Sequence, residues 1–422
     1  MIKYLYLLFT LLILPGLLSA QDTEKSGWTI GGVPAISYNS DRGFQYGVVL
    51  ELYNFGDGSD YPNYQQTIQG EWSRTTGGSG INEIFFDAPD FLWGNIRLTS
   101  YAGYRTELLQ PFYGFGGYET MYNPAFAVSD PADSDYSANL YKSRFYYAHD
   151  RRYWSLRSDL QGPLGGGNIR WVAGINLTGM DAGKPDIDEI SSNLSFDDDI
   201  PDSSLYESYV QEGIIPADEA QGGQVNYVKF GAIYDTRDTE ANPMSGIWTE
   251  LLFTAATEIL GSDFNYTVAT LTHRQYFTLI EEDLSFAYRL GIQSNVAGDT
   301  PFFMQPFIMS TYKIREGLGG AKTLRGILLN RVVGESIGWG NFELRWKFYR
   351  ITLFNQNFYT ALNTFFDTGR VLGTDEDSLH HSYGFGLRIA MNQNFIVGID
   401  YGRALDDQDG DSGLYIGLGF LY

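Results

Sequence analysis

The stretch Asn341-Phe342-Glu343-Leu344-Arg345-Trp346-Lys347-Phe348 alternates polar and apolar residues without a break. Successive side chains of a β-strand point to opposite faces, so Phe342, Leu344, Trp346 and Phe348 share one side and Asn341, Glu343, Arg345 and Lys347 the other. The period recurs upstream, where Leu284, Phe286, Tyr288, Leu290 and Ile292 oppose Ser285, Arg289, Gln293 and Asn295. A soluble sandwich would bury the greasy face and wet the charged one, so alternation alone leaves two architectures open. Their number separates them. About sixteen such segments follow one another, near 28–38, 43–54, 64–76, 81–91, 95–108, 139–160, 168–180, 224–237, 247–259, 264–279, 284–297, 338–353, 358–371, 381–391, 395–404 and 413–422. Short turns at Trp93–Asn95, Gly165–Asn168, Glu281–Asp283 and Asn355–Asn357 alternate with long connections at 109–138, 181–223 and 298–337. The expected fold is therefore all-β, an antiparallel transmembrane β-barrel of about 16 strands, with lipid outside, water inside and both ends on the periplasmic side.

Composition agrees. The chain has 31 Tyr, 28 Phe and 49 Gly against 14 Pro; aromatic girdles and bendable strands suit an outer-membrane barrel. Lys3, the apolar run Tyr4 to Leu18 and the small pair Ser19-Ala20 read as a signal peptide over 1–20, cut before Gln21. Residues 21–27 then form a short periplasmic segment, and 28–422 the barrel domain. No later stretch offers the roughly 18 to 20 uninterrupted apolar residues of a membrane helix. With no cysteine, thiol catalysis and Cys metal sites are excluded. A net charge of -23 with no basic stripe argues against nucleic acid.

Four motifs, in order, carry a resemblance. Tyr234-Asp235-Thr236-Arg237-Asp238 with Asn242-Pro243-Met244-Ser245-Gly246 ends the eighth strand and makes its turn; Leu324-Arg325-Gly326-Ile327 lies in the loop after the eleventh. The twelfth strand reads Gly340-Asn341-Phe342-Glu343 and the thirteenth Phe365-Phe366-Asp367-Thr368-Gly369. From about Val228 to Tyr422 the chain resembles the barrel of the BamA/TamA superfamily (bacterial surface antigen type), which includes outer-membrane insertases and two-partner-secretion transporters. Ile327 departs from the family's aromatic at that position. The resemblance implies a long loop folded into the lumen, with Arg325 and Gly326 at its tip and the guanidinium reaching Glu343 and Asp367 on the wall. Alternation independently puts Glu343 on the lumenal face. Family insertases usually carry periplasmic POTRA modules, and the short segment 21–27 makes this chain resemble members without them.

The likeness also implies bacterial outer-membrane localisation, no enzymatic activity, no cofactor and no metal. The expected function is insertion or translocation of proteins, or of lipids, through a lateral seam between the first and last strands. Ile30, Gly31, Val33 and Pro34 would line one side of it and Ile416, Gly417 and Leu418 the other; Pro cannot donate a ladder hydrogen bond and Gly packs poorly. Gly417, Phe420 and Tyr422 are expected to form a C-terminal assembly signal, with Leu414, Ile416, Leu418, Phe420 and Tyr422 facing lipid. Partners would be outer-membrane lipids and unfolded β-barrel clients, a periplasmic accessory protein or a lipoprotein. Two rivals remain, a docking barrel that anchors one soluble partner and a passive solute channel. Gly334-Glu335-Ser336-Ile337-Gly338 matches a hydrolase nucleophile pattern but lacks the helix that must follow it. Adjacent His380 and His381 should face opposite sides. The acidic runs Asp197–Asp199, Asp375–Asp377 and Asp406–Asp409 read as solvated loops.

Overall fold

The computed structural model describes residues 26–39, 43–59, 64–93, 95–128, 136–194, 200–240, 242–311, 314–353, 356–391 and 395–422. The expected signal peptide, the segment Gln21–Lys25, the run Asp197–Asp199 and the turn residue Asn355 lie outside them. Strand β1 runs over Trp28–Pro34, breaks at Ala35 and Ile36, and resumes over Ser37–Asn39; both pieces pair with β2 (Gly43–Asn54). There follow β3 (Gln66–Thr75), β4 (Gly80–Leu92), β5 (Ile96–Pro111), β6 (Ala148–Pro163), β7 (Ile169–Gly183) and β8 (Gly222–Asp235). The second half holds β9 (Gly246–Ala256), β10 (Tyr266–Ile280), β11 (Leu284–Gly298) and β12 (Ser336–Leu353). It ends with β13 (Gln356–Val371), β14 (His380–Met391), β15 (Phe395–Ala404) and β16 (Ser412–Leu418). Every strand pairs antiparallel with its sequence neighbours, making the expected sixteen-strand meander. Among the described residues no ladder joins β1 to β16.

The sheet is inside out relative to a soluble fold. The largest fully buried side chains include Arg151, Arg289, Arg325, Arg331, Arg345 and Arg388, whereas Leu290, Ile292, Leu344, Trp346 and Phe348 are exposed. Burying guanidinium groups is tolerable only where carboxylates and carbonyls meet them, and an apolar exterior requires lipid.

Three expectations need correction. Strand β6 starts at Ala148, not 139. The aromatic run Phe145-Tyr146-Tyr147 that looks like strand packs in a loop instead, with Tyr147 against Tyr113 and Tyr122 and Tyr146 against Phe126. The connection between β7 and β8 is not all coil: it holds α1 (Ile187–Asn193) and α2 (Leu205–Gln211), capped by Asp186 and Ser204, whose side chains accept from the N–H groups of Glu189 and Glu207. The third concerns the C-terminus. Strand β16 stops at Leu418, so Leu414 and Ile416 face outward as expected, but Phe420 and Tyr422 do not face lipid. Gly419, at φ +80, turns the chain inward. The Phe420 ring then lies 4.5 Å from the Arg345 guanidinium, and the Tyr422 hydroxyl donates to the carbonyls of Ala287 (3.0 Å) and Asn341 (3.2 Å).

The long connections cover one mouth of the barrel. Phe112, Tyr147, Tyr206, Ile215, Phe302 and Phe303, drawn from three loops, form a buried apolar cluster with Tyr227 and Tyr266 of the wall.

Candidate functional site

The loop between β11 and β12, described over 299–311 and 314–335, runs inside the barrel. Its tip is possible because two backbones approach closely. A Cβ on Gly326, whose φ is +102, would lie 2.5 Å from the Arg403 nitrogen, and one on Gly402 of β15 would lie 2.5 Å from the Arg325 carbonyl. The tip is held by an apolar cluster of Ile308, Leu318, Leu324, Ile327, Val332, Ile337, Trp339 and Val371. Ile327, where the family has an aromatic, is wholly buried in that cluster.

Arg325 meets both expected carboxylates. Its Nε and Nη2 donate to the two oxygens of Asp367 at 2.9 and 3.0 Å, a bidentate pair, and its own backbone N–H donates to Asp367 at 3.1 Å. Nη1 donates to Glu343 Oε1 at 2.5 Å, and the guanidinium stacks 3.6 Å from the centre of the Phe365 ring. All three charged side chains are inaccessible to solvent. Strand alternation explains the aim: Glu343 on β12 and Asp367 on β13 both point inward, and Asn341, opposite Asp367 in the ladder, donates to it at 2.8 Å.

Sequence reasoning missed the outer part of the network. Arg345 donates to the second Glu343 oxygen (2.7 Å) and to the Tyr422 carbonyl (3.0 Å), so the inturned C-terminus joins the lock. Arg289 donates to Asn341 (2.8 Å) and to the Lys322 carbonyl (3.1 Å), Arg388 pairs with Asp400 (2.7 Å), and the Gly326 N–H donates to the Tyr415 hydroxyl (3.0 Å). Their shared inward parity was the available signal; their convergence on the loop tip was not.

A second set of contacts holds the loop's first arm to β6, β8, β9 and β11. Glu250 of β9 accepts from the Thr311 N–H (2.9 Å) and hydroxyl; Lys229 of β8 donates to Ser310 O (3.0 Å) and Asp159 (2.7 Å). Gln293 of β11 exchanges hydrogen bonds with Phe307 O (2.8 Å) and Met309 N (2.9 Å), and Arg151 of β6 pairs with Glu316. The loop is thus a crossbar anchored at both ends. Its exit is tied in turn to the covering loops, where Arg331 donates to the carbonyls of Gly117 (2.8 Å) and Thr120 (2.9 Å).

His380 and His381 do face opposite sides, the first bonded to Asp409 at 2.7 Å and the second against Phe366. Asp409, read as a solvated acid, is instead fully buried and also accepts from Tyr118 (2.8 Å), because the loop between β15 and β16 tucks under the covering loops. Burial, then that hydrogen bond, raises the Tyr118 hydroxyl above its ordinary pKa and keeps it a donor. Ser336 bonds Ser294 (2.8 Å), Asp367 belongs to the lock, and His380 serves Asp409; no nucleophile, base and acid converge there. Among the described residues no cluster of His, Asp and Glu has the make-up of a metal site.

The expected seam residues lie on the two end strands. Ile30 and Ile416 are exposed, Pro34 sits opposite Val48, and β16 pairs with β15 over only seven residues, Ser412–Leu418.

Comparison with known proteins bears on the whole barrel. Among solved structures, BamA from Haemophilus ducreyi lacking POTRA domains 1–3 superposes with a TM-score of 0.53 at 14% identity, covering 94% of this chain and 70% of that one. CdiB from Escherichia coli superposes with a TM-score of 0.56 at 10% identity, covering 94% of this chain and 62% of CdiB. At such identities the likeness establishes the fold. No curated protein matches the chain. A model of the Omp85 superfamily domain matches residues 190–421, more than half of the sequence and all four motifs. The chain accordingly belongs to the Omp85 superfamily, the non-enzymatic barrels of the bacterial outer membrane involved in protein insertion and translocation.

Proposed function

We propose that this barrel inserts or translocates polypeptides at the outer membrane by parting β1 from β16, with the Arg325 lock holding the loop that shapes the lumen. The end strands carry the reading. Within hydrocarbon an unpaired strand edge costs several kcal/mol for each unsatisfied backbone group, by rough estimate, so two such edges attract any strand that can pair with them. Strand β1 is broken at Ala35 and Ile36 and contains Pro34, while β16 is short; both features keep the joint weak. The inturned Phe420 and Tyr422 remove a further stretch of β16 from the wall.

A passive channel fits less well, since a crossbar spans the lumen and an aromatic cluster covers one mouth. Large conductance unchanged by Arg325→Ala would favour the channel after all. The direct test is photo-crosslinking in cells from Ile30, Val33, Ile416 and Leu418, with adducts identified by mass spectrometry. Adducts to many immature barrel proteins are expected. One recurrent soluble or lipoprotein partner would indicate a docking barrel, and silence at all four positions would remove lateral opening.

A further inference from the structure

Not every outward residue of the wall is apolar. On β9 to β11 the buried Trp248, Thr272 and Arg289 mark the inward parity, so Thr249, His273, Gln275 and Tyr288 face outward. They meet across the ladder, where Thr249 stands opposite His273 and Gln275 opposite Tyr288. Thr249 Oγ1 and His273 Nδ1 lie 2.8 Å apart, His273 Nε2 and the Tyr288 hydroxyl 3.3 Å, and that hydroxyl donates to Gln275 Oε1 at 2.7 Å. The donation to Gln275 sets the direction of the rest: Tyr288 accepts from Nε2–H, and Nδ1 accepts from Thr249. The bonds thus run one way and end on the Gln275 NH2 group, which donates to no described residue.

Apolar residues flank this polar group on both sides. Toward the covered mouth lie Leu251, Leu271, Leu290 and Ile292, 40 to 45% exposed; toward the short turns lie Ile247 and the stacked rings of Phe277 and Phe286, 6.3 Å apart. Polar side chains at hydrocarbon depth normally face a protein interior and mark function where they occur; these face lipid. Between Thr267 and His273 the outward face of β10 offers only Ala269 and Leu271, about 16 Å of tilted strand, against an apolar band of about 25 Å in barrels of this kind. Two strands on, β12 has no such break, and Leu344, Trp346, Phe348, Tyr349, Ile351 and Leu353 are all exposed. An apolar face too short for its bilayer is met by thinning of the bilayer or by a covering partner. Lipid suffices here. One amide end needs a single acceptor, which an ester or phosphate oxygen supplies, and the other polar atoms are already matched within the group.

We propose that the outward face of β9–β11 binds the ester and phosphate region of periplasmic-leaflet phospholipids at His273 and Gln275, so that the bilayer is thinned against this wall. The polar boundary then lies at Gln275 and not at Leu279, about 10 Å nearer the midplane on a strand tilted by about 40°. The site lies midway along the sixteen-strand meander, far from β1 and β16, and stands whether or not those strands part.

The chain has no cysteine, so single reporters go in cleanly. The full-length barrel, folded into phosphatidylcholine vesicles and checked by heat-modifiable gel migration, would carry bimane on Phe277→Cys, on Leu271→Cys or, as a control on β14, on the exposed Phe385→Cys. Aqueous iodide should quench the label at 277, which a thinned bilayer leaves outside the hydrocarbon; protection equal to that at 385 would overturn the proposal. Replacing the group by Thr249→Val, His273→Leu, Gln275→Leu and Tyr288→Phe together should move the label at 271 about 10 Å deeper against lipids brominated at two depths, with 385 unmoved. An unchanged depth at 271 would also sink it. Should the fourfold variant fail to fold, the iodide reading, which leaves the group intact, decides. A photo-crosslinker at Gln275 that captures a protein in cells would show that a second chain covers the site in place of lipid, and would overturn the proposal as well.

Discussion

Arg325→Ala will destabilise the folded barrel by about 3–5 kcal/mol, the usual cost of removing one partner from a buried ion pair, yet will leave the loop inside the lumen. The destabilisation follows from what stays behind. Asp367 loses two side-chain donors and keeps Asn341, while Glu343 retains Arg345. One buried carboxylate is left poorly matched, and Phe365 loses the cation stacked on it. Retention follows from the second anchor, because Glu250, Lys229 and Gln293 grip residues 307–311 independently of the tip. Heat-modifiable migration should therefore shift to lower temperature, while limited proteolysis should find the segment 299–335 as protected as in the parent. Adding both Glu250→Ala and Gln293→Ala to Arg325→Ala, which frees Phe307, Met309 and Thr311, should expose it. Cleavage in the single variant would mean that the tip alone holds the loop.

The sequence carried the sheet because lipid and water impose opposite demands on alternate residues, and that demand repeats over every strand. The Glu343 and Asp367 positions were legible for the same reason: each is a carboxylate on the inward parity of a strand, and the family motif supplied the partner. Alternation fails where a strand ends. Nothing in Leu418 to Tyr422 announces that Gly419 will bend the chain inward, since Phe420 and Tyr422 continue the apolar parity of Leu414 and Ile416; the cations that receive them, Arg345 and Arg388, come from β12 and β14. The same limit hid Asp409. Its neighbours Asp406 and Asp407 make it look solvated, and its actual partners Tyr118, His380 and Arg331 arrive from far along the chain. The crossbar's second anchor was invisible for a related reason, because Thr311 is an ordinary loop residue until the fold places Glu250 beside it.

Gly402→Val should unseat the loop tip while leaving every charge in place. Gly402 lies in a row of glycines across three strands, opposite Gly384 on β14 and Gly413 on β16. The tip backbone rests on it: a Cβ there would be 2.5 Å from both the carbonyl carbon and oxygen of Arg325 and 2.8 Å from the Gly326 nitrogen. Those contacts are backbone, with no flexible side-chain end to yield, so the tip must rise and the Arg325 donors must leave Asp367. Overpacking left in place would cost about 1–3 kcal/mol; the rising tip relieves it at the expense of the ion pair, so the total is comparable to Arg325→Ala. The decisive reading is a double-mutant cycle by thermal or denaturant unfolding. If both substitutions act by separating Arg325 from its carboxylates, the double variant should be little worse than either single, because the second change has no lock left to break. Full additivity would show that Gly402 supports the barrel wall instead of the loop, and that the close approach at the tip is incidental to the lock.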